Sequence, residues 1–343
     1  MSTRATALTD IIDVAKDYEK RVGDLVSENL FDNSQLFNSD SDYGVDEDDD
    51  YGGDQGDMYH NRSGWDVPLF DFRLFQDGKI FDYVRSYDRF KDYSDDQVAK
   101  LLEKINSGCG YVAMANSIFA QYESNPEEFE RVFGFPMRDS NGKFDTNRLI
   151  LDFFCNTDDT YYLNESGGTN ALLQDVLGDY ASHPEDFKAD FGAELWKDPK
   201  ARTYTDEAIQ AVLDRYQDQS EVIIPSEDGG TTNYSLQNRL SHYLSERGVN
   251  YECTIDRGPM TAQEVRTKLD SGYCVNLGTA GNIINLYDEN GNVLYDNLGG
   301  HRMTVTGVTD DGNYIVSSWG DKYIVHPNEL TNGPNWVFMD VIQ

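Results

Sequence analysis

Gly299-Gly300-His301-Arg302-Met303-Thr304-Val305-Thr306-Gly307-Val308 leads, two residues on, into Asp311-Gly312-Asn313-Tyr314-Ile315-Val316-Ser317-Ser318-Trp319-Gly320. β-Branched and apolar residues flank a turn built on Asp311-Gly312-Asn313, which is the signature of a β-hairpin. A second such turn, Glu289-Asn290-Gly291, precedes it. Around these turns the segments are short and β-like. They are Tyr273 to Leu277, Ile283 to Tyr287, Val293 to Tyr295, Met303 to Val308, Tyr314 to Ser318, Tyr323 to Val325 and Trp336 to Ile342. A short helix, Thr261 to Leu269, precedes the first of them.

Upstream the periodicity changes to that of helices. Ser94-Asp95-Asp96-Gln97 reads as a capping box ahead of Val98, Leu101 and Leu102. A further helix begins at or just after Cys109, through Val112, Ala113, Ala115, Ile118 and Phe119. More follow at Asn147 to Cys155, Ala171 to Tyr180, Asp206 to Tyr216 and Tyr234 to Glu246. Helices first and an antiparallel sheet second define an α+β class, not a doubly wound α/β one.

The 343 residues allow one large or two modest domains and a self-sufficient core. Aromatic residues make up 13%, which argues against a wholly disordered chain. The balance of 28 basic against 62 acidic residues gives a net charge of -34, which repels phosphate backbones and anionic membranes. No stretch is apolar enough for a membrane span. The start, Met1 to Lys20, has no signal-peptide run, so the expected location is the cytoplasm, or export without a cleaved leader. None of Cys109, Cys155, Cys253 and Cys274 forms a CxxC pair, which argues against zinc, and the missing leader argues against a disulfide framework.

Three regions are expected. Residues 1–30 carry an amphipathic pattern from about residue 5: Leu8, Ile11, Ile12, Ala15, Tyr18, Val22, Leu25 and Val26. Residues 31–66 form an acidic flexible linker with the run Asp46-Glu47-Asp48-Asp49-Asp50. That run lacks the alternating ligands, central glycine and closing glutamate of a calcium loop. The folded domain spans 67–343, with a helical half to about 250 and a sheet half from 251.

Two constellations carry chemistry. In Asn106-Ser107-Gly108-Cys109-Gly110-Tyr111-Val112-Ala113-Met114-Ala115-Asn116 a cysteine lies between glycines at a helix start. Glycines permit close approach, and a helix N-terminus favours a thiolate. The competing reading is a small buried cysteine. In the hairpin, His301 opens a strand behind two glycines, and residue 317 or 318 can come beside its imidazole. A lone histidine there also suits a hydrogen-bonded surface role. Cys155 reads as core, and burial is the default for Cys253 and Cys274. His326 is the rival base.

In order, Cys109, the Gly-His-Arg-Met-Thr-Val-Thr-Gly strand and Ser317-Ser318-Trp319-Gly320 resemble the papain-like cysteine peptidase superfamily. They look closest to the bacterial branch that includes double-glycine leader peptidases. The resemblance covers roughly residues 95 to 343 and rests on about thirty positions. It implies a papain-like fold, a peptide or protein substrate and a Cys109–His301 pair, with no metal or organic cofactor. It also implies that Ser317 orients the imidazole where the family has Asn or Asp, and that Trp319 shields that contact. The family's oxyanion-donating Gln falls on Glu103 here, so Asn106 is expected to take that role beside the Cys109 N–H. Two alternatives keep the fold: an inactive peptide-binding relative, or a deamidase or transglutaminase-like effector. The N-terminal helix and linker suit a pro-segment, an inhibitory arm or a docking handle. Gly52-Gly53 is either a plain linker pair or a self-cleavage site.

Overall fold

A computed structural model describes residues 79–343, apart from 106–107, 140–141, 143, 201–202, 227–229, 280–283, 299, 319–320, 331–336 and 343. The expected N-terminal helix, the acidic linker, Gly52-Gly53, Asn106 and Trp319 lie outside the described residues. The helices are α1 (Lys79–Arg85), α2 (Asp95–Ile105), α3 (Cys109–Tyr122), α4 (Pro126–Phe133), α5 (Thr146–Thr157), α6 (Gly168–Asp179), α7 (Pro184–Phe191), α8 (Asp206–Tyr216), α9 (Asn233–Ser245) and α10 (Ala262–Asp270). Short strands β1 (Thr160–Tyr162), β2 (Trp196–Asp198), β3 (Thr203–Tyr204) and β4 (Glu221–Ile223) lie among them. The main sheet holds β5 (Cys253–Arg257), β6 (Cys274–Thr279), β7 (Ile284–Tyr287), β8 (Val293–Leu298), β9 (His301–Val308), β10 (Tyr314–Ser318), β11 (Asp321–Val325) and β12 (Val337–Ile342). Residues 176–215 form a compact unit of their own, with α7, the β2–β3 pair and most of α8.

The remaining described chain is the α+β body expected from the sequence. Its eight strands are ordered β5-β12-β6-β9-β10-β11-β7-β8, and the recorded pairings are antiparallel. Both hairpin turns form where their glycines permit positive φ, at Gly291 (81°) and Gly312 (93°). The capping box closes α2: the Ser94 N–H donates to Gln97 Oε1, and the Gln97 N–H donates to Ser94 Oγ. Thr261 and Glu264 do the same for α10. The β1–β4 and β2–β3 pairs are not legible in the sequence. They are two or three residues long and too short for a period to register.

α3 is apolar nearly all round, so it belongs inside. Tyr111, Val112, Ala113, Met114, Ala115 and Phe119 are fully buried. One side packs into an aromatic-rich core with Phe129, Phe144, Phe153 and Phe154. The other side meets the sheet, to which its buried polar residues bond. Asn116 Nδ2 donates to Thr304 Oγ1 at 3.0 Å, and Asn276 Nδ2 donates to Ser117 Oγ at 3.0 Å. The opposite sheet face buries Val275, Leu277, Met303, Val305 and Met339 with Val265 of α10. Each such side chain contributes about 1.5–3 kcal/mol of burial.

Candidate active site

Cys109 is the first residue of α3 and is half-buried. Its neighbour Gly108 is the N-cap and supplies no side-chain acceptor. The leading N–H groups of a helix lack intrahelical acceptors, so the positive end of α3 lies at the position of Cys109. The glycines are needed for close approach, but the partner is the protein itself. A Cβ at Gly108 would lie 2.6 Å from the Ile105 carbonyl oxygen, and one at Gly110 would lie 2.5 Å from Thr231 Oγ1. Gly108→Ala is therefore expected to cost about 1–3 kcal/mol by forcing that turn apart. Urea unfolding measures the cost, and a variant as stable as wild type would contradict the packing.

The direction of α3 decides what Cys109 faces. Near its C-terminal end, Gln121 Nε2 donates to the Gly272 carbonyl just ahead of β6. Ser117 sits at Cys274 and Asn276. The helix therefore runs antiparallel to β6, and its head points to Gly278-Thr279. Thr279 pairs with His301, and Gly278 with Arg302. From the Asn116–Thr304 bond, Cys109 lies seven residues back along the helix, about 10.5 Å at 1.5 Å per residue. His301 lies three residues back along β9, about 10 Å at 3.3 Å per residue. The helix head and His301 thus lie at the same end of the sheet, with His301 in the strand row of Met303 and Val305, which alternates with the row that meets α3.

His301 begins β9, the strand expected to open behind the two glycines. Its Nε2 lies 2.7 Å from Ser318 Oγ. The partner is thus one position beyond the expected Ser317, and a β-bulge explains the shift. Tyr314 pairs with Val308 and Ile315 with Gly307, a register that would set Ser317 opposite Val305, on His301's face. The bulge between Ile315 and Val316 sets Val316 opposite Val305 instead. Ser317 then lies opposite Thr304, on the α3 side, and Ser318 takes the face of His301. Side-chain counting cannot reveal one extra residue in a strand.

Burial pushes His301 down to about 4, so the ring is neutral at pH 7. A folded value below the unfolded one means that the unfolded state binds more protons between about pH 6.5 and 4. Stability should therefore fall across that window as pH drops. The residue as a whole is half-buried, so the loss is at most about 3 kcal/mol. His301→Gln should lose less stability than wild type between pH 7.5 and 4.5, as read from urea midpoints. Equal losses would exclude a depressed His301.

The other candidates separate from this end. His326 follows β11, whose Val325 pairs with Tyr314, at the end of β10 away from Ser318. Tyr314 and Ser318 are four strand steps apart, about 13 Å. There it stacks on Tyr287 at 4.0 Å, with Nδ1 3.3 Å from Glu329. His242 stacks on Tyr162 and His183 is the N-cap of α7. Cys155 and Cys274 are buried as expected, and burial holds the Cys155 thiol well above its usual range. Cys253 is only half-buried, with its thiol pushed up to about 12 by burial. Glu103 falls in α2, and among the described residues no three His, Cys, Asp or Glu group as a metal site. No described helix is long and apolar enough to cross a membrane.

One feature of the site was not legible in the sequence. Behind the head of α3, Asp158, Lys104, Arg239 and Tyr111 form a buried charged cluster. Its bonded pairs are 47 to 128 residues apart, and no local pattern announces such pairings. Comparisons with protein-family models, with curated proteins and with solved structures find no match to this chain.

Proposed function

We propose that the chain is a papain-like cysteine peptidase or amidase that hydrolyses a peptide or amide bond through Cys109 and His301. The reading is carried by one observation: Cys109 heads a buried helix at the end of the sheet where a neutral His301 is bonded to Ser318. In this reading the His301 imidazole, bonded to Ser318 through Nε2, turns at the strand's end toward the head of α3 and takes the thiol proton. The sulfur attacks the carbonyl, and the Cys109 N–H stabilises the oxyanion. The imidazolium returns its proton to the leaving amine as the C–N bond breaks. Water then adds to the thioester, with His301 as base, and releases the acid and the free thiol.

The test is the pH dependence of Cys109 alkylation by iodoacetamide, read at Cys109 by mass spectrometry. Wild type should label at pH 6 at least about tenfold faster than His301→Ala, since an unassisted thiol of pKa near 8.5 is almost wholly protonated there. Ordinary thiol behaviour, unchanged in His301→Ala, would reject catalysis and favour a peptide-binding protein on the same fold. A one-unit mass gain on a target protein without backbone cleavage would identify a deamidase.

A further inference from the structure

We propose that Asp158 is a positioning residue that clamps the Cys109 turn from both flanks, an inference that rests on the peptidase reading. α2 ends at Ile105, α3 begins at Cys109, and the Gly108 N–H donates to the Ile105 carbonyl at 2.8 Å. On the near side of that turn, Lys104 Nζ forms an ion pair with Asp158 Oδ2 at 2.5 Å and donates its hydrogen bond to Asp159 Oδ1 at 2.5 Å. On its far side, the Tyr111 hydroxyl donates to Asp158 Oδ1 at 3.1 Å. Arg239 Nη1 joins the pair by donating to Tyr111 Oη at 2.8 Å and to Asp158 Oδ1 at 3.1 Å. One carboxylate thus holds residues 104 and 111, five before and two after Cys109.

The carboxylate is itself fixed. The Asp158 N–H donates to the Phe154 carbonyl at 2.8 Å, ending α5, and Arg89 donates to the Asp158 carbonyl. The Tyr111 ring is wedged against Phe153 and Phe154, with centroids at 4.9 and 5.1 Å. All four side chains of the clamp are nearly or wholly buried. Apolar residues of similar volume would stabilise the fold as well or better. What directional bonds add is a single position for the chain, and the chain held here is the one that presents the Cys109 N–H and sulfur.

The test compares Tyr111→Phe, Lys104→Met, Lys104→Arg and Asp158→Asn in the full chain. One readout is amide exchange at Gly108 and Val112, whose N–H groups bond to Ile105 and Gly108. The other is the pH profile of Cys109 alkylation. Tyr111→Phe and Lys104→Met should speed exchange at both amides at least about tenfold relative to β9, and slow alkylation at pH 6 at least about fivefold. Lys104→Arg, which keeps the charge, should stay within about twofold of wild type. Tyr111→Phe removes one oxygen only, so it keeps the test open if Asp158→Asn does not fold. Exchange that rises in step across 108, 112 and β9 would show a merely structural role and overturn the clamp. Selective exchange in the variants, with ordinary Cys109 reactivity in wild type, would uphold the clamp while rejecting the peptidase reading.

Discussion

Cys109→Ala is expected to lower turnover of any peptide cleaved by wild type by about 10⁴-fold or more, because the covalent route disappears with the sulfur. No other described cysteine is placed to replace it. Cys155 and Cys274 are buried, and Cys253 has its thiol pushed up to about 12. Cys253 also lies on β5 opposite Ile342, which pairs in turn with Cys274, the end of the sheet away from the head of α3. The side chain lost is small and half-buried, so stability should change by less than about 1 kcal/mol. A degenerate peptide library with mass-spectrometric detection measures turnover, and urea unfolding checks the fold. Full activity in a folded Cys109→Ala protein would reject the peptidase reading outright.

The largest effect on stability should come from Asp158→Ala, at about 3–5 kcal/mol, since it leaves buried cations without their carboxylate. Lys104 keeps Asp159, but Asp158 is the carboxylate that Arg239 meets at 3.1 Å. The loss is a large share of the roughly 5–15 kcal/mol that holds an ordinary domain folded. Adding Arg239→Met should recover part of it, because an uncompensated charge costs more than a missing pair. Urea midpoints of wild type, the single variant and the double variant measure both effects. A single variant within about 1 kcal/mol of wild type would mean that water reaches the cluster.

Much of the body could be read along the chain. Gly291 and Gly312 marked the hairpin turns, Ser94 and Gln97 the start of α2, and the run after Cys109 a helix. Each is a local signal: a backbone angle, a cap, or a period of one element. His301 as the head of a strand followed from the same kind of reading. Ser318 did not, because the bulge after Ile315 is set by how two strands fit together. The approach of Gly108 to Ile105 and of Gly110 to Thr231 was equally hidden. Glycine announces that something comes close, but not what.

By itself, the sequence determined the α+β class, the helix that Cys109 opens, the hairpin that His301 leads and the acidity of the chain. These depend on residues within a few turns or strand lengths of one another. Only the tertiary structure decided the order of the eight strands, the shared end of α3 and β9, the choice of Ser318 over Ser317 and the clamp at Asp158. Those depend on pairs such as Asn116–Thr304 and Tyr111–Arg239, 188 and 128 residues apart, which meet only when burial of α3 brings them together.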